Sequence, residues 1–323
     1  MRAAALVPLL LVAGCAPSGP GPDRVFVSDE QANVVHVLDG RSGRVEGVLH
    51  TGKRPRGLAL SPEGRVLYVA ASNADRIEAW DVHSLRHLRD LASGSDPERI
   101  ALAPDGRTLY AANEDRSSAG FIDTVSGKLL REVPVGPEPE GVAASPDGRT
   151  VVVTSEVAST AHVIDTVSGK VLANLPVGSR PRDVLFMAGG REAWVSSEQR
   201  GTITIFSVPK WREIAKIDLV TAFPEVDPVQ AVEMKRSAQG TRVYVAMGRG
   251  NRIAEINAAS RRVLRSFRTG ERCWGLSLSP DGTRIYAAAG LSGTLTVIDL
   301  ASGGTLRTID LGGKPWTALA AAR

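Results

Sequence analysis

The chain has 323 residues, of which 43% are hydrophobic and 23% are charged, and its formal net charge is +4. This composition is ordinary for a soluble globular protein, and the length permits one large or two ordinary domains. Because the cations are spread along the chain and form no Lys/Arg run or RNA-binding aromatic motif, we expect no nucleic-acid partner.

The N-terminus, MRAAALVPLLLVAGC, has one cation, an apolar run and small residues before Cys15. This pattern is typical of a secretory signal and is too short for a membrane span. Its end, VAGC, resembles a bacterial lipobox, which implies cleavage before Cys15 and diacylglycerol on its sulfur. We therefore predict a signal peptide over 1–14 and a lipid-anchored protein of the cell envelope that faces the periplasm. The alternative is an ordinary cleaved signal with a chance cysteine.

Residues 15–23 read CAPSGPGPD, and we predict a Pro/Gly tether of about 25 Å when extended. The sequence contains only two cysteines, Cys15 and Cys273. With Cys15 lipidated no intrachain disulfide can form, so packing alone must hold the fold.

From residue 24 onward one phrase recurs. Large side chains hold a single repeat position, and their spacings are 42, 42, 42, 42, 50 and 42 residues. They are Phe26, Tyr68, Tyr110, Val152, Trp194, Tyr244 and Tyr286. A fixed period near 40 predicts an array of supersecondary units rather than two domains. We expect these side chains to fill the gap between neighbouring units.

Each repeat contains four short alternating runs, as in RGLALSPEG, RVLYVAAS, RIEAWDVHS and RHLRDLASG, which predict four antiparallel strands. A Ser-Pro-Asp-Gly type turn joins the first two strands. Polar residues recur at the turn between the last two, namely Asp39, Asp81, Asp123, Asp165, Ser207, Asn257 and Asp299. A turn is needed once per repeat, so we interpret them as turn residues that accept backbone N–H bonds.

Four-stranded units in a ring form a β-propeller. Seven segments are candidates for the inner strand: 56–60, 98–102, 140–144, 182–186, 229–234, 274–278 and 316–320. We therefore predict an all-β, seven-bladed propeller of four-stranded antiparallel blades over 24–323. The chain starts with a second strand, RVFVSD, and ends with a first strand, so the two termini should pair and close the ring.

The phrases LYVAAS, LYAANE, VVVTSE and VYVAMG, with the IDT-SGK and SPDG phrases, resemble the YVTN family of β-propellers over 24–323. The stretch CWGLSLSPDGTRIYAAAGLSGTLTVID is most similar to the propeller lipoproteins associated with PQQ-dependent catabolism. This resemblance implies a role beside PQQ-dependent alcohol oxidation or transport. It does not imply bound PQQ, because the cradle, vicinal disulfide and Trp-docking repeats of the eight-bladed quinoprotein dehydrogenases are missing here.

Catalytic motifs such as G-x-S-x-G, H-E-x-x-H and C-x-x-C are absent from the sequence, and the five histidines are scattered. We therefore predict no catalytic residues, no metal site and no cofactor.

The best candidate surface is the set of loops that lead into the inner strands, because these loops converge at one mouth of a propeller channel. Residues flanking the proline of these loops form an acidic arc of Asp96, Glu98, Glu138 and Glu140. A basic and aromatic arc consists of Arg272, Trp274, Lys314, Trp316, Arg54 and Arg56. Between these two arcs the fourth repeat supplies Arg180 and Arg182, and the fifth supplies Asp227 and Val229 at the same two positions.

Cations beside indole rings suit a small anionic or aromatic ligand, or an acidic loop of a periplasmic protein. The alternative is that these loops are simply solvated. The fifth repeat adds the insertion VTAFPEVDPVQ, which with Phe223 is expected to form a rigid flap beside the mouth. One loop replaces its proline with Cys273, which restores a backbone N–H; we expect a packed thiol and not a nucleophile.

The sequence thus favours a monomeric, non-catalytic binding or scaffold lipoprotein, accessory to a PQQ-dependent alcohol oxidation or transport system. Two alternatives stay open: a propeller enzyme such as a sugar lactonase, and a purely structural envelope scaffold. The lactonase would need a cluster of His, Arg and carboxylate side chains converging at the channel, and no histidine lies in these inner loops.

Overall fold

The computed structural model describes residues 23–187 and 189–322. They form seven four-stranded antiparallel sheets, which confirms the all-β seven-bladed propeller. We number the strands in chain order and the blades by their inner strands.

Blade 1 contains β4 (Pro55–Leu60), β5 (Val66–Ala71), β6 (Arg76–Asp81) and β7 (His87–Ala92). Blade 2 contains β8 (Pro97–Leu102), β9 (Thr108–Asn113), β10 (Ser118–Asp123) and β11 (Leu129–Pro134). Blade 3 contains β12 (Pro139–Ala144), β13 (Thr150–Ser155), β14 (Thr160–Asp165) and β15 (Val171–Pro176). Blade 4 contains β16 (Pro181–Phe186), β17 (Glu192–Ser197), β18 (Thr202–Ser207) and β19 (Arg212–Asp218). Blade 5 contains β20 (Met234–Arg236), β21 (Arg242–Ala246), β22 (Arg252–Asn257) and β23 (Val263–Arg268). Blade 6 contains β24 (Cys273–Leu278), β25 (Arg284–Ala289), β26 (Thr294–Asp299) and β27 (Thr305–Asp310). Blade 7 contains β28 (Pro315–Ala321), β1 (Arg24–Asp29), β2 (Val34–Asp39) and β3 (Val45–His50).

Blade 7 joins the two ends of the described chain. Strand β28 pairs with β1 in an antiparallel register in which Arg24 lies opposite Ala321 and Phe26 opposite Leu319. The predicted ring closure is therefore confirmed. It gives blade 7 its inner strand, so β1 is paired on both sides, with β28 and with β2.

The core lies between neighbouring blades. The repeated large residues, from Phe26 to Tyr286, are all buried, and Phe26, Trp194 and Tyr286 have no exposed surface. Their role as fillers between blades is thereby confirmed. The hydroxyl of Tyr286 bonds the carboxylate of Asp23 and the carbonyl oxygen of Gly40, so it also links blade 6 to the start of β1.

The recurring turn residues cap the hairpins between third and fourth strands. Oδ1 of Asp165 accepts hydrogen bonds from the backbone N–H and the hydroxyl of Ser168, both at 2.7 Å. The hydrogen bonds from Ser168 lower the pKa of Asp165. Asp81, Asn257 and Asp299 make the same contacts in their own blades. The turn role of this column is confirmed, with one difference: the hydroxyl of Ser207 donates to the carbonyl oxygen of Arg212 at 3.3 Å instead of accepting a backbone N–H.

Blade 5 departs from the predicted register. Its inner strand β20 begins at Met234, and Lys235 lies opposite Tyr244. Counting from this pair places Ala231 at the position that proline holds in every other blade except blade 6, which has Cys273. The alignment on Asp227 and Val229 was therefore wrong by three residues, because the prolines of the insertion imitate the repeat.

The insertion in blade 5 is packed. The short helix α1 (Leu219–Ala222) starts after Asp218, whose Oδ1 accepts the N–H of Thr221 at 3.1 Å. Phe223, which we expected in a flap, is only 8% exposed and belongs to the core between blades 4 and 5.

The predicted signal peptide, Cys15 and most of the tether lie outside the described residues. Asp23, the last tether residue, is buried. Within the described part of the chain, no helix has the length and apolar character required to cross a membrane.

Candidate functional site: the mouth of the channel

The first ring of the mouth follows the proline position. A β-bulge at this point, seen in β4 as a register shift between Pro55 and Leu58, interrupts the ladder to the second strand. Each member of the ring is 9% exposed or less. The members are Arg56, Glu98, Glu140, Arg182, Val232, Trp274 and Trp316. Contacts between non-adjacent blades, such as Arg182 with Trp274, show that these side chains converge on the channel axis.

Two ion-pair clusters organise this ring. In the first, Arg56 pairs with Glu98, and its Nε lies 3.0 Å from Oε2 of Glu30. Arg54 Nη1 lies 3.1 Å from Oδ1 of Asp96 and 3.2 Å from Oε1 of Glu98. The arcs that we assigned as separate basic and acidic surfaces therefore neutralise each other inside the molecule.

The second cluster surrounds Arg182 on the opposite side of the mouth. Its guanidinium pairs with Glu140 and Glu156, and its Nε lies 2.6 Å from Oε2 of Glu198. Arg180 Nη2 lies 2.6 Å from the other carboxylate oxygen of Glu156. Such close pairing compensates the cost of burying these charges.

Sequence reasoning missed the carboxylates that follow the second strands, namely Glu30, Glu114, Glu156 and Glu198. A signal existed, because a glutamate ends the phrases SDE, ANE, TSE and SSE at one repeat position. Antiparallel pairing places the end of each second strand beside the start of the inner strand. The column therefore belongs to the same mouth as the predicted residues.

The pKa values of two central carboxylates, Glu156 and Glu140, are shifted in opposite directions. Burial, together with the charge of Glu140, raises the pKa of Glu156 to about 8. Burial also opposes ionisation of Glu140, but Arg182 and Arg56 outweigh it and lower the pKa of Glu140 to about 2. Near neutral pH the pair therefore holds one proton, on Glu156.

Asp96, Glu98 and Glu114 bring carboxylate oxygens within 4.8 Å of one another. Burial raises the pKa of all three. Because the Arg54 guanidinium already lies against two of them, we assign no metal to this cluster.

The two tryptophans form the floor of the mouth. Trp274 and Trp316 meet edge to face with ring centroids 5.5 Å apart, and they are 4% and 5% exposed. Arg56 lies 4.0 Å from the centroid of Trp316, and Arg272 lies 4.6 Å from that of Trp274. We expected both indoles to face a ligand, but the structure uses their faces to hold arginines.

The residues before the proline form the rim. Arg54, Asp96, Arg180 and Arg272 are half-buried, whereas Glu138 and Lys314 are exposed. Five of the predicted rim residues adopt positive φ, from 50° to 57°: Arg54, Asp96, Glu138, Arg180 and Arg272. Since this uncommon conformation recurs in blades 1 to 4 and in blade 6, it is a feature of the loop that aims long charged side chains at the mouth.

A cavity of about 390 Å³ opens at the rim between blades 7 and 1. Its lining consists of Glu30, Gln31, Asn33, Lys53, Arg54, Arg56, Asn73 and Lys314. Asn33 Oδ1 accepts the backbone N–H of Arg54 at 2.8 Å, and Asn73 Oδ1 accepts from its guanidinium at 3.2 Å. Among the described residues, Lys53 and Lys314 have no ion-pair partner, so their ammonium groups are available to an anion.

The other end of the channel holds a cavity of about 350 Å³ that the sequence did not indicate. A salt bridge crosses the channel there, with Arg99 Nη1 and Lys235 Nζ at 2.9 and 2.8 Å from Oε1 of Glu233. Arg99, Asp183 and Glu233 occupy the position that glycine holds in blades 1, 3 and 6. These charged residues at a glycine position were the sequence signal that could have indicated this cavity.

One serine and histidine pair imitates a catalytic arrangement. His162 Nε2 lies 3.0 Å from Oγ of Ser155, and its Nδ1 lies 2.7 Å from Oδ1 of Asn174. However, Ser155 is fully buried and donates to the carbonyl oxygen of Gly136 at 2.9 Å. Substrate cannot reach this hydroxyl, so the group stabilises blade 3.

No protein-family profile matches this chain, and no curated protein matches it. Solved structures do match this chain over most of its length. The periplasmic gluconolactonase of Pseudomonas aeruginosa is 23% identical, with a TM-score of 0.78 over 93% of this chain and 99% of its own. Hydrazine synthase of Kuenenia stuttgartiensis is 22% identical, with a TM-score of 0.77 over 91% and 99%.

A putative 6-phosphogluconolactonase of Bacteroides fragilis is 17% identical, with a TM-score of 0.76 over 95% of this chain and all of its own. At these identities the likeness shows the fold and no more. The chain is a seven-bladed β-propeller whose fold is shared by lactonases and by proteins of unrelated chemistry.

Proposed function

We propose that the protein hydrolyses the lactone of a sugar acid in the rim cavity between blades 7 and 1. The observation that carries the proposal is the lining of that cavity, where unpaired Lys53 and Lys314 and the guanidinium of Arg54 face the amides of Asn33 and Asn73. Cations suit the carboxylate of a sugar acid or the carbonyl oxygen of its lactone, and amides suit the ring hydroxyls. The lactonases among the structural neighbours support this choice over a scaffold.

The lining also contains the groups for ester cleavage. Glu30 is placed to take a proton from water as the water oxygen attacks the lactone carbonyl carbon. Arg54 and Lys314 are placed to stabilise the resulting oxyanion. When the oxyanion collapses, the bond from the acyl carbon to the ring oxygen breaks, and the proton returns from Glu30 to that oxygen. Water and lactone are consumed, and the hydroxy acid is formed.

The test follows proton release from glucono-lactone, corrected for spontaneous hydrolysis. Glu30→Gln should lower kcat about 10²-fold or more while KM changes little, because only the base is removed. Lys53→Met with Lys314→Met should lower kcat/KM at least about tenfold, mainly through KM. The matched control is Lys128→Met with Lys170→Met, since these exposed lysines lie in turns on the opposite face. A wild-type rate equal to the spontaneous rate would refute the lactonase.

A second candidate keeps the binding and omits the chemistry: an accessory lipoprotein of PQQ-dependent alcohol oxidation that captures a small anion or an acidic loop. It is favoured by the ion pairs at the mouth, since Glu30 already lies 3.0 Å from Arg56. It predicts calorimetric binding of gluconate, lost in the Lys53/Lys314 double variant, with no turnover of its lactone.

A further inference from the structure

The face opposite the mouth is built from turns. Because the four strands of a blade alternate in direction, turns between first and second strands lie beside turns between third and fourth strands. Hydrogen bonds connect the two kinds: Val82 N donates to Arg65 O, and Thr124 N donates to Arg107 O, both at 2.9 Å. We call this surface the turn face.

The turn face is cationic. Its exposed cations are Arg41, Arg44, Arg65, Arg86, Arg107, Lys128, Arg149, Lys170, Arg191, Lys210, Arg212 and Arg262. Of these, only Arg44 has an ion-pair partner within the described residues, namely Glu46 at 3.6 Å. Exposed carboxylates of the same turns are fewer: Glu63, Asp105, Asp147 and Asp281.

The capping aspartates of the turns do not cancel this charge. They are half-buried, and their carboxylates point at the backbone N–H groups of their own turns, as Asp165 does toward Ser168. Even when the capping aspartates are counted with the exposed carboxylates, cations outnumber anions on the turn face. At the mouth, in contrast, carboxylates pair with Arg54, Arg56 and Arg182.

The described chain begins on the turn face. The N–H of Gly40, in the turn after β2, donates to the carbonyl oxygen of Asp23 at 2.8 Å. Arg24 Nη1 contacts the carbonyl oxygen of His83 in the corresponding turn of blade 1 at 3.4 Å. The predicted lipidated tether therefore joins the propeller at its cationic face.

We propose that the turn face docks on the anionic headgroups of a lipid bilayer, so that the mouth points away from the membrane. Unpaired arginines at the tips of short turns reach a flat surface together, because the turns of successive blades lie in one ring. Attraction between basic residues and an anionic leaflet acts over about 10 Å at 0.1 M salt, within reach of such turns. Nucleic acid is the competing polyanion, and the test includes it.

The experiment measures co-sedimentation of the full chain carrying Cys15→Ser with vesicles. Anionic vesicles contain phosphatidylglycerol and phosphatidylcholine at about 3:7, a composition that gives a negative surface potential; neutral vesicles contain phosphatidylcholine alone. We expect selective binding to the anionic vesicles that weakens as salt rises. Arg65→Gln, Arg107→Gln and Arg149→Gln together, which occupy one position in three blades, should weaken binding about 100-fold.

The control is Arg116→Gln, Arg200→Gln and Arg249→Gln, because these exposed arginines lie in turns on the mouth side and carry the same total charge. It should bind within about threefold of the parent. Equal weakening by both triple variants, or equal partition onto neutral and anionic vesicles, would overturn the proposal. So would tighter binding of a double-stranded DNA fragment at the same salt concentration. Neither triple variant touches the rim cavity, so lactone hydrolysis should be unchanged in both.

Discussion

At the scale of single residues, the mouth shows how charge is buried at tolerable cost. Glu98 and Arg182 are 0% and 6% exposed, and each has oppositely charged groups within ion-pair distance. Removing one partner would leave the other buried and unpaired, which is far more costly than removing both.

Cys273 is buried as a neutral group, without an ion pair. Burial raises the pKa of its thiol to about 12, so it stays protonated and unreactive.

The raised pKa of Glu156 makes stability depend on pH. Because its pKa of about 8 in the folded protein exceeds the ordinary value of 4.5, the folded state binds a proton that the unfolded state releases. This stabilisation is complete below pH 4.5 and is lost as pH rises through 8. We therefore expect Glu156→Gln to lose less stability than the wild type between pH 5 and 9, by on the order of 4 kcal/mol.

Urea unfolding at both pH values and constant ionic strength measures this difference. Glu63→Gln, an exposed glutamate of the turn face, is the matched control and should follow the wild type. Parallel pH curves for the wild type and Glu156→Gln would show that the pair does not retain a proton.

At the scale of elements, the loop before each inner strand decides how blades meet. In blades with proline no N–H is available at this position, whereas Cys273 N donates to Gly248 O at 3.0 Å and Gly248 N donates to Cys273 O at 3.1 Å. This two-bond bridge links blade 6 to blade 5. It accounts for the absence of proline from the loop of blade 6, because proline has no N–H to donate.

Replacing the cysteine tests the bridge. Cys273→Pro should unfold with a free energy about 1 kcal/mol lower than Cys273→Ala, because both lose the thiol but only the proline variant loses the hydrogen bond. Denaturant unfolding of the two variants, with the wild type as reference, gives the difference. A proline variant as stable as the alanine variant would mean that the bridge contributes nothing.

At the scale of the whole molecule, closure converts an array of blades into one cooperative unit. Strand β28 contributes the inner strand of blade 7 and also packs against blades 6 and 1, through Trp316 and Ala321. Without it the backbone groups of β1 and apolar surfaces on both sides would be exposed.

Deletion of residues 316–323 should therefore abolish cooperative unfolding or lower the melting temperature by more than about 10 °C, since several kcal/mol of packing is lost. Deletion of residue 323 alone, which lies beyond β28, is the control. Melting is followed by circular dichroism and by calorimetry. A cooperative transition near the wild-type temperature after the longer deletion would contradict closure by β28.

The sequence by itself determined the number of blades, the strands within each blade, the turn role of residues such as Asp165 and the pairing of the termini. These features repeat at a fixed period, so every copy confirms the others, and they depend on neighbours within one blade. The register of blade 5 was misread because its insertion contains prolines of its own. The spacing of 13 residues that separates Pro55 from Tyr68, counted back from Tyr244, gives Ala231.

Tertiary structure alone decided which mouth residues are available. The column from Arg56 to Trp316 reads as a ring of potential ligand contacts, and only folding shows that Arg182 reaches across the axis to Trp274 and that Glu30 and Glu156 complete the ion pairs. Whether a charged side chain faces a ligand or a partner charge depends on the distance between blades. That distance is set by closure of the whole ring and is not encoded in any single repeat.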